Sequence, residues 1–201
     1  SYKVKVQNSG TVSMWIDSIE EDAKNNSNTE YVLEGIGLKE LINPGEEKEF
    51  IVKIKYKNNI TTLPDNTNLD TILKFNFIKP ESTLAMGNKG VSTSTFFNGT
   101  LKKEKIESIE FRPTLDVIED AIGSWDASYD KNGTVIASYK DSDGNGLYEL
   151  YIGGIGKVNT PSNSSNLFRS FNNLASINFD KYFDTSNTVN MNSMFNNCEN
   201  L

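Results

Sequence analysis

The acids of Asp141-Ser142-Asp143-Gly144-Asn145-Gly146 are the residues with the clearest chemical potential in this chain. Oxygen ligands at the first, third and fifth positions (Asp141, Asp143, Asn145), followed by a turn glycine, match the opening of a calcium loop. The bidentate glutamate such a loop needs at its twelfth position is Ile152 here, and only Glu149 follows nearby. A β-hairpin loop uses the same residue types for Asx turns and left-handed backbone, and the missing ligand favours that reading. Gly153-Gly154-Ile155-Gly156-Lys157 has the glycines and lysine of a phosphate loop but not its spacing, and Val158 stands where Ser or Thr is required. It reads as a turn. Two carboxylates at a fixed separation suffice for glycoside hydrolysis, and Glu119 with Asp120, or Asp126 with Asp130, qualify by type. Their neighbours are polar and nothing marks a cleft, so they read as solvated surface acids.

The residue types that are missing narrow the field further. No histidine occurs in the 201 residues, which removes Ser-His-Asp and Cys-His nucleophile systems and His-ligated zinc. Cys198 is the single cysteine, so no intrachain disulfide or CxxC motif exists. Arginine occurs only as Arg112 and Arg169. A net charge of −7 opposes binding to nucleic acid, which needs a basic footprint, and to anionic lipid. No apolar run is long enough to insert into a membrane. Most enzyme classes therefore lose their standard parts, and no cofactor is expected. The chain opens directly into a strand-like pattern and stops inside a repeat, so both ends read as cuts in a longer protein.

Short strands separated by turns account for the first hundred residues. Phe50, Val52, Ile54 and Tyr56 alternate with Ile51, Lys53, Lys55 and Lys57, the period of a strand with one buried and one wet face. Residues 70–78 repeat the idea, with Leu73, Phe75 and Phe77 inward. Residues 2–7, 11–16 and 31–36 are shorter candidates, and the polar runs 25–28 and 64–68 are loops between them. This spacing predicts an antiparallel β-sandwich of immunoglobulin type over residues 1–100, with a barrel as the alternative. Trp15 lies off the Met14/Ile16 side of its strand; covering by a loop is expected there, with an exposed aromatic able to contact a glycan as the alternative. Residues 79–90 read as a loop or linker, and 91–101 belong to either neighbour.

The character changes from about residue 101. Residues 101–150 hold 6 basic and 11 acidic side chains, whereas 151–201 hold 3 of each. Residues 134–140 and 147–152 flank the Asp141–Gly146 loop and predict a hairpin. Then a repeat begins: Leu167-Phe168-Arg169-Ser170-Phe171-Asn172-Asn173-Leu174 aligns with Met194-Phe195-Asn196-Asn197-Cys198-Glu199-Asn200-Leu201 at an offset of 27 residues. Such a period, with apolar anchors and Asn at bends, marks a leucine-rich-type solenoid. Cys198 occupies the slot of Phe171, so a small buried thiol is expected there.

This unit resembles the BspA-type leucine-rich repeat surface proteins of low-GC Gram-positive bacteria and mycoplasmas. The motif stands here as Phe183-Asp184-Thr185-Ser186-Asn187-Thr188-Val189-Asn190-Met191-Asn192-Ser193-Met194-Phe195-Asn196-Asn197-Cys198-Glu199-Asn200-Leu201, with Thr188-Val189 in the less common order. The resemblance covers roughly residues 105–201 and is specific over the last thirty-five. It implies short helices near 164–171 and 191–197 alternating with a strand near 175–179. Ile177 and Phe179 would then point inward, while Ser176, Asn178 and Asp180 would line the exposed, ligand-binding strand face.

The expected architecture is therefore mainly β. An immunoglobulin-like sandwich (1–100) precedes a β-rich hairpin cap (about 101–160) and the start of a leucine-rich-like solenoid (about 161–201). The resemblance implies a non-catalytic, extracellular or cell-wall-attached protein that adheres to a host or matrix protein or a glycan. A stalk or spacer displaying other domains is the alternative, and a carbohydrate-active enzyme the remote one. A solenoid ending at its second unit leaves an apolar end, from which self-association is expected.

Overall fold

The computed structural model describes residues 1–22, 29–57 and 72–201. The loops expected at 25–28 and 64–68, and the first two residues of the strand expected over 70–78, lie outside the described residues. The chain is mainly β and divides into two compact units, Ser1–Pro80 and Glu81–Leu201.

In the first unit, β1 (Tyr2–Gln7), β5 (Glu47–Tyr56) and β3 (Thr29–Glu34) form an antiparallel sheet in the order β1-β5-β3. A second antiparallel sheet has the order β4-β2-β6, from β4 (Leu41–Ile42), β2 (Met14–Asp22) and β6 (Ile72–Ile78). Both feed one core of Ile16, Ile36, Ile42, Phe50 and Val52, with Phe50 meeting Phe75 edge-on at 5.4 Å between ring centroids. The alternation read along β5 holds over its first half only. Phe50 and Val52 are buried, but Ile54 and Tyr56 on the same face are exposed because the core ends before β5 does, and Phe77 on β6 is exposed as well. Trp15 follows the expectation that a loop covers it. It is buried, and the loop after β3 covers it, with Lys39 Nζ 5.9 Å from the ring and the Lys39 N–H donating to the Ile16 carbonyl at 2.8 Å.

The second unit is built on a mixed five-stranded sheet. Its order is β12-β7-β10-β9-β8, from β7 (Ile106–Arg112), β8 (Gly123–Asp126), β9 (Val135–Lys140), β10 (Tyr148–Gly154) and β12 (Ser176–Asn178). β9 and β10 are the expected hairpin, whereas β7 runs parallel to both β10 and β12. A small parallel pair joins β11 (Val158–Asn159) to β13 (Phe183–Asp184).

Residues 81–101 pack with this unit, so the division falls at Pro80/Glu81 where the sequence places it near residue 100. The stretch 79–90, read as a loop or linker, carries the buried Leu84 and Ala85, and the stretch 91–101 carries the buried Phe96 and Phe97; the Leu84 N–H donates to the Asn159 carbonyl at 2.9 Å, and a Cβ on Gly87 would lie 2.3 Å from the Leu167 carbonyl oxygen. The buried residues come in adjacent pairs, which have neither the strand period nor the helix period, and pattern alone does not reveal them.

The repeated segments adopt one backbone conformation twice. Asn166 and Ser170 have φ of 61° and 62°, and Ser193 and Asn197, 27 residues later, have 55° and 60°. The turn bonds recur with them: Leu167 N–H to Ser164 and Met194 N–H to Met191, then Arg169 N–H to Asn166 and Asn196 N–H to Ser193. Between the copies runs a ladder. The N–H groups of Ser164, Asn166, Phe168 and Ser170 donate to the carbonyls of Asn190, Asn192, Met194 and Asn196 at 2.8, 3.0, 2.9 and 2.9 Å. The short helices expected near 164–171 and 191–197 are therefore corrected to successive turns. A left-handed residue at every fourth position turns carbonyls outward and breaks the i to i−4 pattern of a helix.

Aromatic packing ties the ladder to the sheet. Phe168 lies against Phe97, Phe111, Phe171, Phe179 and Phe183, and stacks on its repeat counterpart Phe195 at 5.4 Å with the planes 9° apart. Replacing it with alanine opens a cavity at this centre. We expect Phe168→Ala to cost about 3–5 kcal/mol, read by urea unfolding in a Trp15→Phe background where Trp125, packed on Phe96, is the only tryptophan. A loss under about 1 kcal/mol would show that the column is dispensable.

Candidate functional site

Strand alternation sorts the residues of the five-stranded sheet onto two faces. Ile109 and Phe111 of β7 and Leu150 and Ile152 of β10 enter the core, so Ser108, Glu110 and Arg112, together with Glu149 and Tyr151, take the opposite face. Register then sets the neighbours. Ser176, Ser108, Glu149 and Lys140 stand in one row across four strands, and Asn178, Glu110, Tyr151 and Ser138 in the next.

Between β12, β7 and β10 this face holds a shallow groove of about 140 Å³, lined by Ser108, Glu110, Tyr151, Ser176 and Asn178 over a floor of Ile109 and Leu150. The structure thus brings two of the three expected face residues, Ser176 and Asn178, into one groove. Asp180 lies past the end of β12, in the 3₁₀ turn Asp180–Tyr182 with φ of 40°, and does not line it. Ile177 and Phe179 pack against the core.

Tyr151 is the centre of the face. The Arg112 guanidinium and the Lys140 ammonium lie 5.9 and 5.8 Å from its ring, and Arg112 Nε is 3.8 Å from Glu110. Partial burial raises the phenol's pKa, and the carboxylates of Glu149 and Glu110 raise it further against the opposing Arg112. The phenol therefore stays protonated near neutral pH, a donor and acceptor beside hydroxyls, an amide and a carboxylate. Ser108, Glu110, Arg112, Lys140 and Tyr151 were not singled out by the sequence. Their signal was the alternation Ser108-Ile109-Glu110-Phe111-Arg112, masked at its start by a register shift against β10 between Tyr148 and Glu149.

The acidic loop is occupied by its own backbone. Asp141 accepts from the N–H groups of Gly144, Asn145 and Gly146 at 2.8, 3.1 and 3.0 Å, through both carboxylate oxygens. Asp143 accepts from Asn145, whose amide also donates to Glu107 at 3.1 Å. Among the described residues no group of three or more His, Cys, Asp or Glu is placed to hold a metal ion. Gly153 and Gly154 close β10, and a Cβ at Gly153 would fall 1.9 Å from the Thr114 carbonyl oxygen, so this glycine run serves close packing. Asp126 likewise accepts from the Ser128 and Gly133 N–H groups, both at 2.9 Å, and from the Ser128 hydroxyl. Asp184 of the family-like motif accepts from the Ser186 N–H at 2.9 Å and pairs with Lys157 at 3.2 Å, which together hold its pKa at about 2.

Among the described residues one ionisable group is fully buried. Lys103 donates to the carbonyls of Asn88 and Arg169 (2.8 Å to the latter), is 3.5 Å from that of Gly90, and lies 5.6 Å from the Phe171 ring. Burial, then the Arg169 guanidinium, lowers its pKa to about 8, with Cys198 opposing. Cys198 is half-buried, donates to the Phe168 carbonyl at 3.0 Å, and burial raises its pKa. It fills the place of Phe171 one repeat on.

The chain matches no protein-family model, no curated protein and no solved structure.

Two outcomes follow from this geometry. Millimolar calcium should leave the melting temperature unchanged, because Asp141 already receives three amides, and a rise on adding calcium would reinstate the metal loop. The second concerns Lys103. Its pKa is about 8 folded against 10.5 for the free side chain, so the unfolded chain binds more protons between those values and stability rises with pH across that window. The stability difference between wild type and Lys103→Met should therefore widen in wild type's favour from about pH 8 to 10.5. A difference flat with pH would show that the carbonyl cage holds the ammonium at its ordinary pKa.

Proposed function

We propose that this chain is a non-catalytic binding module of an extracellular or cell-wall-attached bacterial protein of the BspA-type repeat kind. In this reading an immunoglobulin-like sandwich precedes a hairpin cap and the opening of a leucine-rich-like array, which presents its strand face to a host or matrix protein or a glycan. The observation that carries it is the open face of β12, β7 and β10. A half-buried tyrosine sits there between two cations, next to a groove of hydroxyls, an amide and a carboxylate. Aromatic and arginine side chains set among near-neutral polar groups are the composition of recognition surfaces. Support for the array comes from the ladder between the two copies and from the left-handed positions paired at a 27-residue offset, since repeats stack by repeating one conformation. Support for the non-catalytic reading comes from the absence of histidine in the sequence and from Asp126, one of the candidate acids, whose oxygens serve backbone N–H groups. Among the described residues no helix is long and apolar enough to cross a membrane.

The test is binding of the whole chain to arrayed glycans and extracellular-matrix proteins, repeated with Tyr151→Ala and with Ser176→Ala/Asn178→Ala. Saturable binding weakened at least about tenfold by Tyr151→Ala, with the melting temperature preserved, is the expected result. Binding that survives both variants would move the site off this face. Silence across the arrays would favour a stalk or spacer.

A further inference from the structure

A second hollow, apart from the sheet face, has the make-up of a small-ligand site. It is open to solvent, has a volume of about 410 Å³ and is lined by Thr83, Met86, Tyr129, Pro161, Ser162 and Asn163, within the range of roughly 300–1,000 Å³ typical of ligand pockets. Tyr129 and Met86 are 52% and 41% exposed. No charged side chain lines the hollow.

Its walls are set by the backbone. The Tyr129 N–H donates to the Thr83 carbonyl at 2.8 Å, and the Ser162 carbonyl accepts from the N–H groups of Val189 and Asn190 at 2.9 and 3.2 Å. Thr83 bridges to Asn159 and Asn163 to Asn190, and Asn163 Oδ1 accepts from the Ser165 N–H at 3.1 Å. A site fixed in this way loses little conformational entropy on binding. Meanwhile the hydroxyls of Thr83, Tyr129 and Ser162 and the Asn163 Nδ2 make no hydrogen bond to any described residue, so all four are free to meet a ligand.

The lining selects the ligand. A charged molecule finds no counter-charge, and a purely apolar one would leave the three hydroxyls and the amide unused. A ring with one apolar face and a rim of hydroxyls satisfies both halves, its C–H face on Tyr129, Met86 and Pro161 and its hydroxyls on Thr83, Ser162 and Asn163. We propose that this hollow binds a neutral pyranose, one sugar residue of a glycan.

The test is a two-dimensional ¹H–¹⁵N NMR titration of the whole chain with the methyl glycosides of mannose, galactose and N-acetylglucosamine. At least one should give saturable, millimolar shifts at the amides of Thr83, Tyr129, Ser162 and Asn163. Tyr129→Ala and Met86→Ala, both at exposed positions, should each weaken that binding about tenfold or more, Tyr129→Phe should retain most of it, and Tyr151→Ala should leave it unchanged. The proposal is overturned if no neutral sugar shifts these amides at millimolar concentration, or if the shifts persist unaltered in Tyr129→Ala. Saturation of the same amides by N-acetylproline amide with the sugars silent would overturn it too, and would identify a peptide site.

Discussion

Every N–H and C=O in a buried turn must find a partner, and in the second unit that demand is met by copying the turn. A segment such as 164–170, with φ positive at Asn166 and Ser170, sends alternate backbone groups sideways out of the chain. No helix or hairpin of its own satisfies them. A second segment of the same conformation 27 residues later offers carbonyls at matching intervals, and four bonds of 2.8–3.0 Å result. The sequence requirement is modest: small or amide side chains where the backbone is left-handed, and an apolar residue at each anchor. Phe168 over Phe195, and Cys198 in the place of Phe171, are the side-chain counterpart of the same registration.

The registration also dictates what reaches the surface. β12 is three residues long because the chain has to leave the turn, add one short parallel strand beside β7 and turn again at Asp180. A strand of that length contributes only Ser176 and Asn178 outward. The rest of the face comes from β7, β10 and β9, which also carry the core residues Ile109, Phe111, Leu150 and Ile152. The polar face and the aromatic core are therefore two sides of the same strands, and one cannot shift register without reversing the other.

Lys103 shows how far the fold goes to satisfy backbone carbonyls. A fully buried ammonium is expensive without compensation, yet here it gathers carbonyls from the segments around residues 88–90 and 169, under the Phe171 ring. It pins residues 81–101 to the repeated turns. That stretch has adjacent buried residues and no period, and its place in the second unit depends on such long-range contacts.

Much of this was legible from residue order alone. Alternation gave the strands β1, β5 and β6 and the β9–β10 hairpin, and turn chemistry gave the Asp141–Gly146 loop. The 27-residue offset located the equivalent positions 167–174 and 194–201, and the choice of Ser176 and Asn178 came from the family resemblance of that segment. These features are local, and each is determined by side chains within one or two turns of chain. The tertiary structure decided the rest. It placed Trp15 under Lys39, added residues 81–101 to the second unit, replaced the expected short helices with turns, left Asp180 outside the groove and made Tyr151 the centre of the face. Each of these depends on partners far away in sequence, through register, coverage by a distant loop or a carbonyl accepting from another repeat, and no local period encodes such partners.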